Sequence, residues 1–230
     1  RAPDKSKQKK KHPALRIASW NVRTMCPGLS SNLQQLDDAR KTAVIDRELN
    51  RLNVDIACLQ ETRLAEDGTI RESNYTFYWQ GKPSDEPRQH GVGFAVKNTL
   101  VSSIEPPTPG TERLLTIRLS TSSGPINLVS VYAPTLCSTP EEKDQFYESL
   151  DEVITRIPST EGLYLLGDFN ARVGADHEAW PACLGKFGRG KINDNGQRLL
   201  ELCCIRDLCI TNTYFRCKEI HQVSWRHPRS

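Results

Sequence analysis

The sequence predicts an α/β sandwich with mixed sheets and with helices on the outside. From Ala14 onward, apolar strand-like runs alternate with helical stretches, and several strands follow one another at hairpin distance with turn residues between them. The chain of 230 residues has no internal repeat and no second block of composition, so it reads as one large domain with a substantial core.

The elements follow in order. "LRIASWNV" at 15–22 reads as a strand. "DDARKTAVIDRELNRLN" at 37–53 reads as a helix, with Asp residues capping its start and Thr42, Ile45, Leu49 and Leu52 at helical spacing. "VDIACLQE" at 54–61 is a short buried strand, and "YTFYW" (75–79), "GVGFAVK" (91–97) and "RLLTIRLS" (113–120) are three more. In "PINLVSVYA" (125–133) strict alternation puts Ile126, Leu128, Ser130 and Tyr132 on one face. Residues 140–157 carry Phe146, Leu150, Val153 and Ile157 along one stripe, an amphipathic helix. "GLYLLGD" (162–168) is a strand, "GQRLLELCCIRD" (196–207) a helix, and "LCITNTYF" (208–215) a last strong strand, with "HQVSW" (221–225) as a further candidate.

Composition narrows the function classes. No apolar run approaches the length that spans a bilayer, and the first residues lack a signal-peptide core, so an intracellular protein is expected. Eight cysteines are scattered without paired C-x-x-C motifs, which argues against zinc and against a disulfide framework, and for buried reduced thiols. The formal charge is +3, but "RAPDKSKQKKKHP" (1–13) alone carries a net +5, leaving the remainder near −2. That basic run has almost nothing apolar to bury and is expected to be disordered. It reads either as a solvated linker or as a nuclear-localisation or nucleic-acid patch.

Four strands end in polar residues. Asn21 closes the first, Gln60 and Glu61 the second, Tyr132 the alternating strand, and Asp168 and Asn170 follow "LYLLG". In α/β sheets, sites assemble beyond strand ends, where loops carry chemistry on a rigid frame. Glu61 and Asp168 suit a hard divalent cation and an attacking water. Asn21 and Asn170 offer neutral donors and acceptors to a phosphate, and Tyr132 donates to a developing negative oxygen. Each has a plain structural alternative: a strand-end Asn forms turns, Glu61 opens a surface loop, Asp168 makes an Asx turn, and Tyr132 edges the core. Their joint occurrence favours chemistry, with Gly167 expected to let the chain turn so that Asp168 and Asn170 face a phosphate.

The motifs "SWNVRT", "CLQETR", "GVGFAVK", "VSVYAPT" and "LLGDFNARVG" resemble, in order and spacing, those of the endonuclease/exonuclease/phosphatase superfamily, the metal-dependent phosphodiesterases. "NDNGQRLLELC" and "ITNTYF" further resemble the apurinic-endonuclease-like domain of RTE/LINE-type non-LTR retrotransposons. The likeness covers residues 15–230. It implies a four-layered α/β sandwich of the DNase I-like type, a Mg²⁺ (or Mn²⁺) cofactor, DNA as partner, a monomer, a nuclear location, and nicking that leaves a 3′ hydroxyl.

By position, Glu61 matches the family's principal metal ligand, and Asn21 its phosphate- and metal-site asparagine. Tyr132 matches the tyrosine near the scissile phosphate, Asp168 the aspartate that activates water, and Asn170 the asparagine on the phosphate. Arg63 and Thr213 fall at substrate-side positions, and Arg172, with Lys186, Arg189 and Lys191, lies in a loop (171–192) expected to face the DNA backbone, the alternative being a solvated insertion.

The family pattern continues with a strand bearing an aspartate and then a Ser-Asp-His segment, which this sequence lacks. None of His12, His90, His177, His221 or His227 follows Ser-Asp, so no catalytic histidine is assigned. The expected domain, 14–230, is thus C-terminally incomplete, with a sheet edge left unpaired. The alternative function is a catalytically impaired nuclease fold acting as a binding or scaffold module.

Overall fold

The structure, a computed structural model, describes residues 14–26 and 40–218. Among these described residues, nine strands form two sheets. The first contains β1 (Ile17–Asn21), β2 (Ile56–Gln60), β3 (Asp67–Arg71), β4 (Tyr75–Gln80) and β5 (Val92–Lys97), in the order β1-β2-β5-β4-β3. The second contains β6 (Thr108–Thr111), β7 (Leu114–Thr121), β8 (Gly124–Tyr132) and β9 (Gly162–Asp168), in sequence order. Each sheet has one parallel pair, β1 with β2 and β8 with β9, and the other pairs are antiparallel.

The sheets pack face to face. Ile56, Cys58, Val92, Phe94 and Val96 of the first meet Leu115, Ile117, Leu119, Leu128 and Tyr132 of the second. Helix α1 (Lys41–Arg51) covers the outer face of the first sheet, laying Ile45 and Leu49 on Ala57, Leu59, Tyr75 and Phe77. Helix α2 (Pro140–Arg156) covers the second, with Phe146, Leu150 and Ile154 against Val129 and Val131, and α3 (Asp194–Ile205) joins it through Leu202. Helix, sheet, sheet and helix make the four-layered sandwich. Strand β2 is buried at every position because both its faces are covered, which is why "IACLQ" reads as a continuous apolar run rather than an alternating one. One polar clip crosses the core: buried Gln60 donates to the Ser130 hydroxyl at 3.4 Å, and Ser130 donates to the Leu59 carbonyl at 3.2 Å.

Three sequence expectations need correction. Leu52 does not belong to the buried stripe of α1: it caps the helix at 47% exposure, while Asp46 is buried in that face. Residues 208–215 form no strand. Asp207 turns with φ 51°, the Ile210 amide bonds the Cys183 carbonyl, and Thr211–Thr213 closes as a 3-10 turn, so the amides bond loops rather than a sheet neighbour. Strands β3 and β6 were not expected at all. The capping aspartates Asp37 and Asp38, the basic run 1–13 and "HQVSW" lie outside the described residues. Among the described residues, β1 and β9 are edge strands that contact each other on the same side of the sandwich.

Candidate active site

The two parallel pairs decide where the polar strand ends go. Parallel strands finish at the same edge, so β1 and β2 bring Asn21 opposite Gln60, and β8 and β9 bring Tyr132 opposite Asp168. With the sheets stacked, the four ends meet at one rim. The Asn21 side-chain amide donates to Glu61 Oε1 at 2.7 Å and to Asp168 Oδ2 at 3.2 Å, bridging the two carboxylates across both sheets. The Tyr132 hydroxyl donates to Glu61 Oε1 at 3.2 Å, and Arg63 donates to Glu61 Oε2 at 3.1 Å. The Asn170 backbone amide fixes Asp168 Oδ1 at 3.0 Å, while its side chain donates to the Ala133 carbonyl at 2.9 Å.

Backbone strain gathers at this rim. Arg23, Glu61, Arg63, His90 and Asn170 all adopt left-handed φ between 48° and 66°, a conformation costing a non-glycine residue roughly 1–2 kcal/mol. The turn after β9 is therefore made by Asn170, not by Gly167 as the sequence implied. Gly167 lies within β9, and a Cβ there would sit 1.8 Å from the Val131 carbonyl oxygen, so glycine is needed for close approach to β8.

Burial alone would push the Glu61 carboxyl upward, but hydrogen bonds from Asn21, Arg63 and Tyr132, with the charge of Arg63, hold it below the usual range. Tyr132 is pushed up to about 12 by burial and by the neighbouring Glu61 charge, so its phenol keeps its proton and acts as a donor. The site thus presents two carboxylates, Glu61 and Asp168, and four donor residues, Asn21, Arg63, Tyr132 and Asn170.

Of the remaining sequence candidates, Thr213 and Arg172 are not in this cluster of contacts. Thr213 is buried; its hydroxyl donates to the Ile210 carbonyl and accepts from the Gly185 amide at 2.7 Å, holding a loop in place. Arg172 is exposed, and its backbone pairs with Asn193, the N-cap of α3. Basic side chains collect around the loop that Thr213 holds. Lys186, Arg189, Arg216 and Lys218 line a recess of about 630 Å³ together with Phe187, and Gly174 bridges to Arg189 on the way from Asn170.

The sequence missed the supports. Arg113 donates to the Tyr132 carbonyl at 3.2 Å, lies 5.6 Å over the Tyr132 ring, and sits 3.2 Å from His90 Nε2, whose ring centroid is 5.8 Å from that of Tyr132. Burial and the Arg113 charge lower the His90 pKa, consistent with a neutral ring accepting from Arg113. The available signal was register: Arg113 immediately precedes the strand that pairs with the end of β8. Asn195, at the start of α3, is buried and donates to the Pro134 and Asn170 carbonyls at 2.9 and 3.1 Å, buttressing the Asn170 turn.

Hard oxygen donors on a partly exposed rim suit a cation such as Mg²⁺, which takes one or two carboxylates and keeps several waters. Among the described residues there is no group of three or more His, Cys, Asp or Glu side chains placed to hold a metal, so the donor set on hand is Glu61 with Asp168 beside it.

A family profile described as "Endonuclease/Exonuclease/phosphatase family" matches residues 18–216. The chain is similar to craniofacial development protein 2 of Bos taurus, 30% identical over 212 residues that make up 92% of this chain and 33% of that protein. The same protein of Tragulus javanicus is 29% identical over 92% of this chain and 34% of its own length. The chain therefore spans about a third of the length of these curated relatives.

Among solved structures it resembles the endonuclease domain of TRAS1, a telomere-specific non-LTR retrotransposon, with TM-score 0.56 and 18% identity over 84% of this chain and 71% of that one. The AP endonuclease LMAP from Leishmania major gives TM-score 0.56 and 17% identity over 84% and 66% of the two chains. The Xenopus laevis APE2 catalytic domain gives 0.51 and 19% over 80% and 66%. These structural likenesses show the fold, a DNase I-like α/β sandwich.

Proposed function

The chain belongs to the endonuclease/exonuclease/phosphatase family, and on that premise we propose that it is a Mg²⁺-dependent phosphodiesterase that nicks DNA and leaves a 3′ hydroxyl. The observation that carries this reading is the single Asn21 amide joining Glu61 and Asp168, with Tyr132 and Arg63 on the same carboxylate.

A phosphodiester repels nucleophiles with its charge and has a poor leaving group. Glu61 would hold the Mg²⁺ (or Mn²⁺), which when bound supplies charge neutralisation at the phosphate. Asp168, with one oxygen set by Asn170 and the other by Asn21, orients the attacking water and takes its proton. Asn170 has one side-chain N–H on Ala133, and its second is left for a phosphate oxygen. Tyr132, held protonated and braced by Arg113, donates to the oxygen on which charge develops; one such contact is typically worth roughly 3–4 kcal/mol of barrier. Arg63 contributes positive charge beside Glu61.

The recess with Lys186, Arg189, Arg216 and Lys218 supports DNA as the substrate, its cations lying against the backbone with Arg172 alongside. In this reading Thr213 acts on the substrate side indirectly, by shaping the loop that carries Lys186. The forms "GDFNARVG" and "NDNGQRLLELC" support a retrotransposon origin, and the basic run at 1–13 supports a nuclear location. We take the domain to act as a monomer.

The test is conversion of supercoiled plasmid to nicked circle by the purified chain, with Mg²⁺ or with EDTA, followed by extension of the nick with a DNA polymerase. Nicks that appear only with Mg²⁺ and extend without end repair support the reading. Nicks that need phosphatase treatment first contradict the 3′ hydroxyl. DNA binding without any nicking from a folded chain would instead support a captured fold serving as a binding module.

A further inference from the structure

The proposed chemistry uses no cysteine, yet Cys183, Cys203, Cys204 and Cys209 lie close enough to influence one another. Within this group one contact stands apart: the Cys183 and Cys204 sulfurs are 3.4 Å from each other. Their surroundings are opposite. Cys183 is fully buried among Leu184, Leu199 and Leu200, whereas Cys204 is exposed on α3. Cys203 faces the same buried cluster, and Cys209 is exposed.

We propose that Cys183 and Cys204 form a reversible disulfide when the protein meets a peroxide. The exposed Cys204 is the thiol that a dissolved oxidant reaches. Its sulfur attacks one peroxide oxygen, the O–O bond breaks, and Cys204 is left as a sulfenic acid with release of water. The Cys183 sulfur, already in contact, then attacks the Cys204 sulfur. The S–O bond breaks, and the departing hydroxide leaves as water with the Cys183 proton. Two thiols are oxidised and one peroxide is reduced to two waters.

Burial, with the Cys204 contact, pushes Cys183 up to about 12, so it does not initiate the reaction and resolves it only through proximity. Closing the bond asks the sulfurs to move from 3.4 Å to about 2.05 Å, and one partner is on the outer side of a helix.

The cross-link would act on the recess. The carbonyl of Cys183 accepts from Ile210 at 2.8 Å, and the next residues but one connect through Gly185 to the Thr213 hydroxyl and then to Lys186 and Phe187. Tying Cys183 to α3 pins the strap from which the basic loop departs.

The experiment treats the whole reduced chain with hydrogen peroxide, blocks remaining thiols under denaturing conditions, and maps peptides by mass spectrometry without reduction. The expected result is matched loss of alkylation at Cys183 and Cys204, a cross-linked peptide joining them, and recovery of both on adding dithiothreitol. Cys203→Ser and Cys209→Ser should keep the cross-link, and Cys204→Ser should lose it while Cys183 stays a free thiol. A Cys183 that remains fully alkylated while Cys204 proceeds to sulfinic acid, or a cross-link of Cys204 with Cys209, overturns the proposal.

Discussion

Glu161 binds three strands together through one carboxylate. It sits just before β9 and accepts from Arg118 of β7 at 2.9 and 2.8 Å, and from Asn127 of β8 at 2.8 Å. Those donors hold its pKa at about 2, against an ordinary value of 4.5. A carboxyl depressed by folding stabilises the folded state above its unfolded pKa, and that contribution disappears as pH falls through the folded value. The wild-type protein should therefore lose urea stability between pH 4.5 and about 2 more steeply than Glu161→Gln. Equal slopes in the two would mean that Glu161 is not held by these donors. At this scale the polar strand ends were legible, because an ionisable residue after an apolar run is conspicuous. Asp46 was not: it accepts from the Asn74 and Tyr75 amides across the fold, a partnership no local pattern reports. His90 and Arg113 were hidden for the same reason.

Elements with a strong apolar signal, periodic or continuous, were read correctly, and the two strands without one were missed. Strand β3, "DGTIR", alternates exposed and half-buried positions with a single large apolar side chain, and β6, "TPGT", has none. Conversely, "LCITNTYF" has the apolar content of a strand but bonds its amides to loops instead. Helix α2 begins with a reciprocal cap: Thr139 accepts from the Glu142 amide at 3.2 Å, and Glu142 accepts from the Thr139 amide at 3.1 Å. Thr139→Ala should cost about 1 kcal/mol in chemical denaturation, with the site unchanged. Gly167→Ala should cost more, about 3 kcal/mol, because a Cβ overlaps the Val131 carbonyl oxygen and the two strands carrying Tyr132 and Asp168 must separate. A Gly167→Ala protein as stable as wild type would contradict that reading of the glycine.

For the whole molecule, the consequential fact is that each sheet contains one parallel pair, and that both pairs end at the same rim. The sequence names the four strands that carry the polar ends, but the order β1-β2-β5-β4-β3 and the stacking of the sheets come from long-range pairing. Motif resemblance bridged that gap, since "CLQETR" and "LLGDFNARVG" belong together in known family members before any pairing is seen. The family-level fold was therefore legible, while the bracing of the site by Arg113, His90 and Asn195 emerged only from the packed structure.

The central claim is that the Asn21–Glu61–Asp168 cluster is a phosphodiester-cleaving centre. Its most direct test is the initial rate of plasmid nicking in Mg²⁺ for wild type, Glu61→Gln and Asp168→Asn, with each protein first shown to be folded. The isosteric changes preserve volume and remove one charge each. The account predicts Mg²⁺-dependent nicking by wild type and a loss of about 100-fold or more in each variant. Equal nicking by all three, or none by folded wild type, would contradict it.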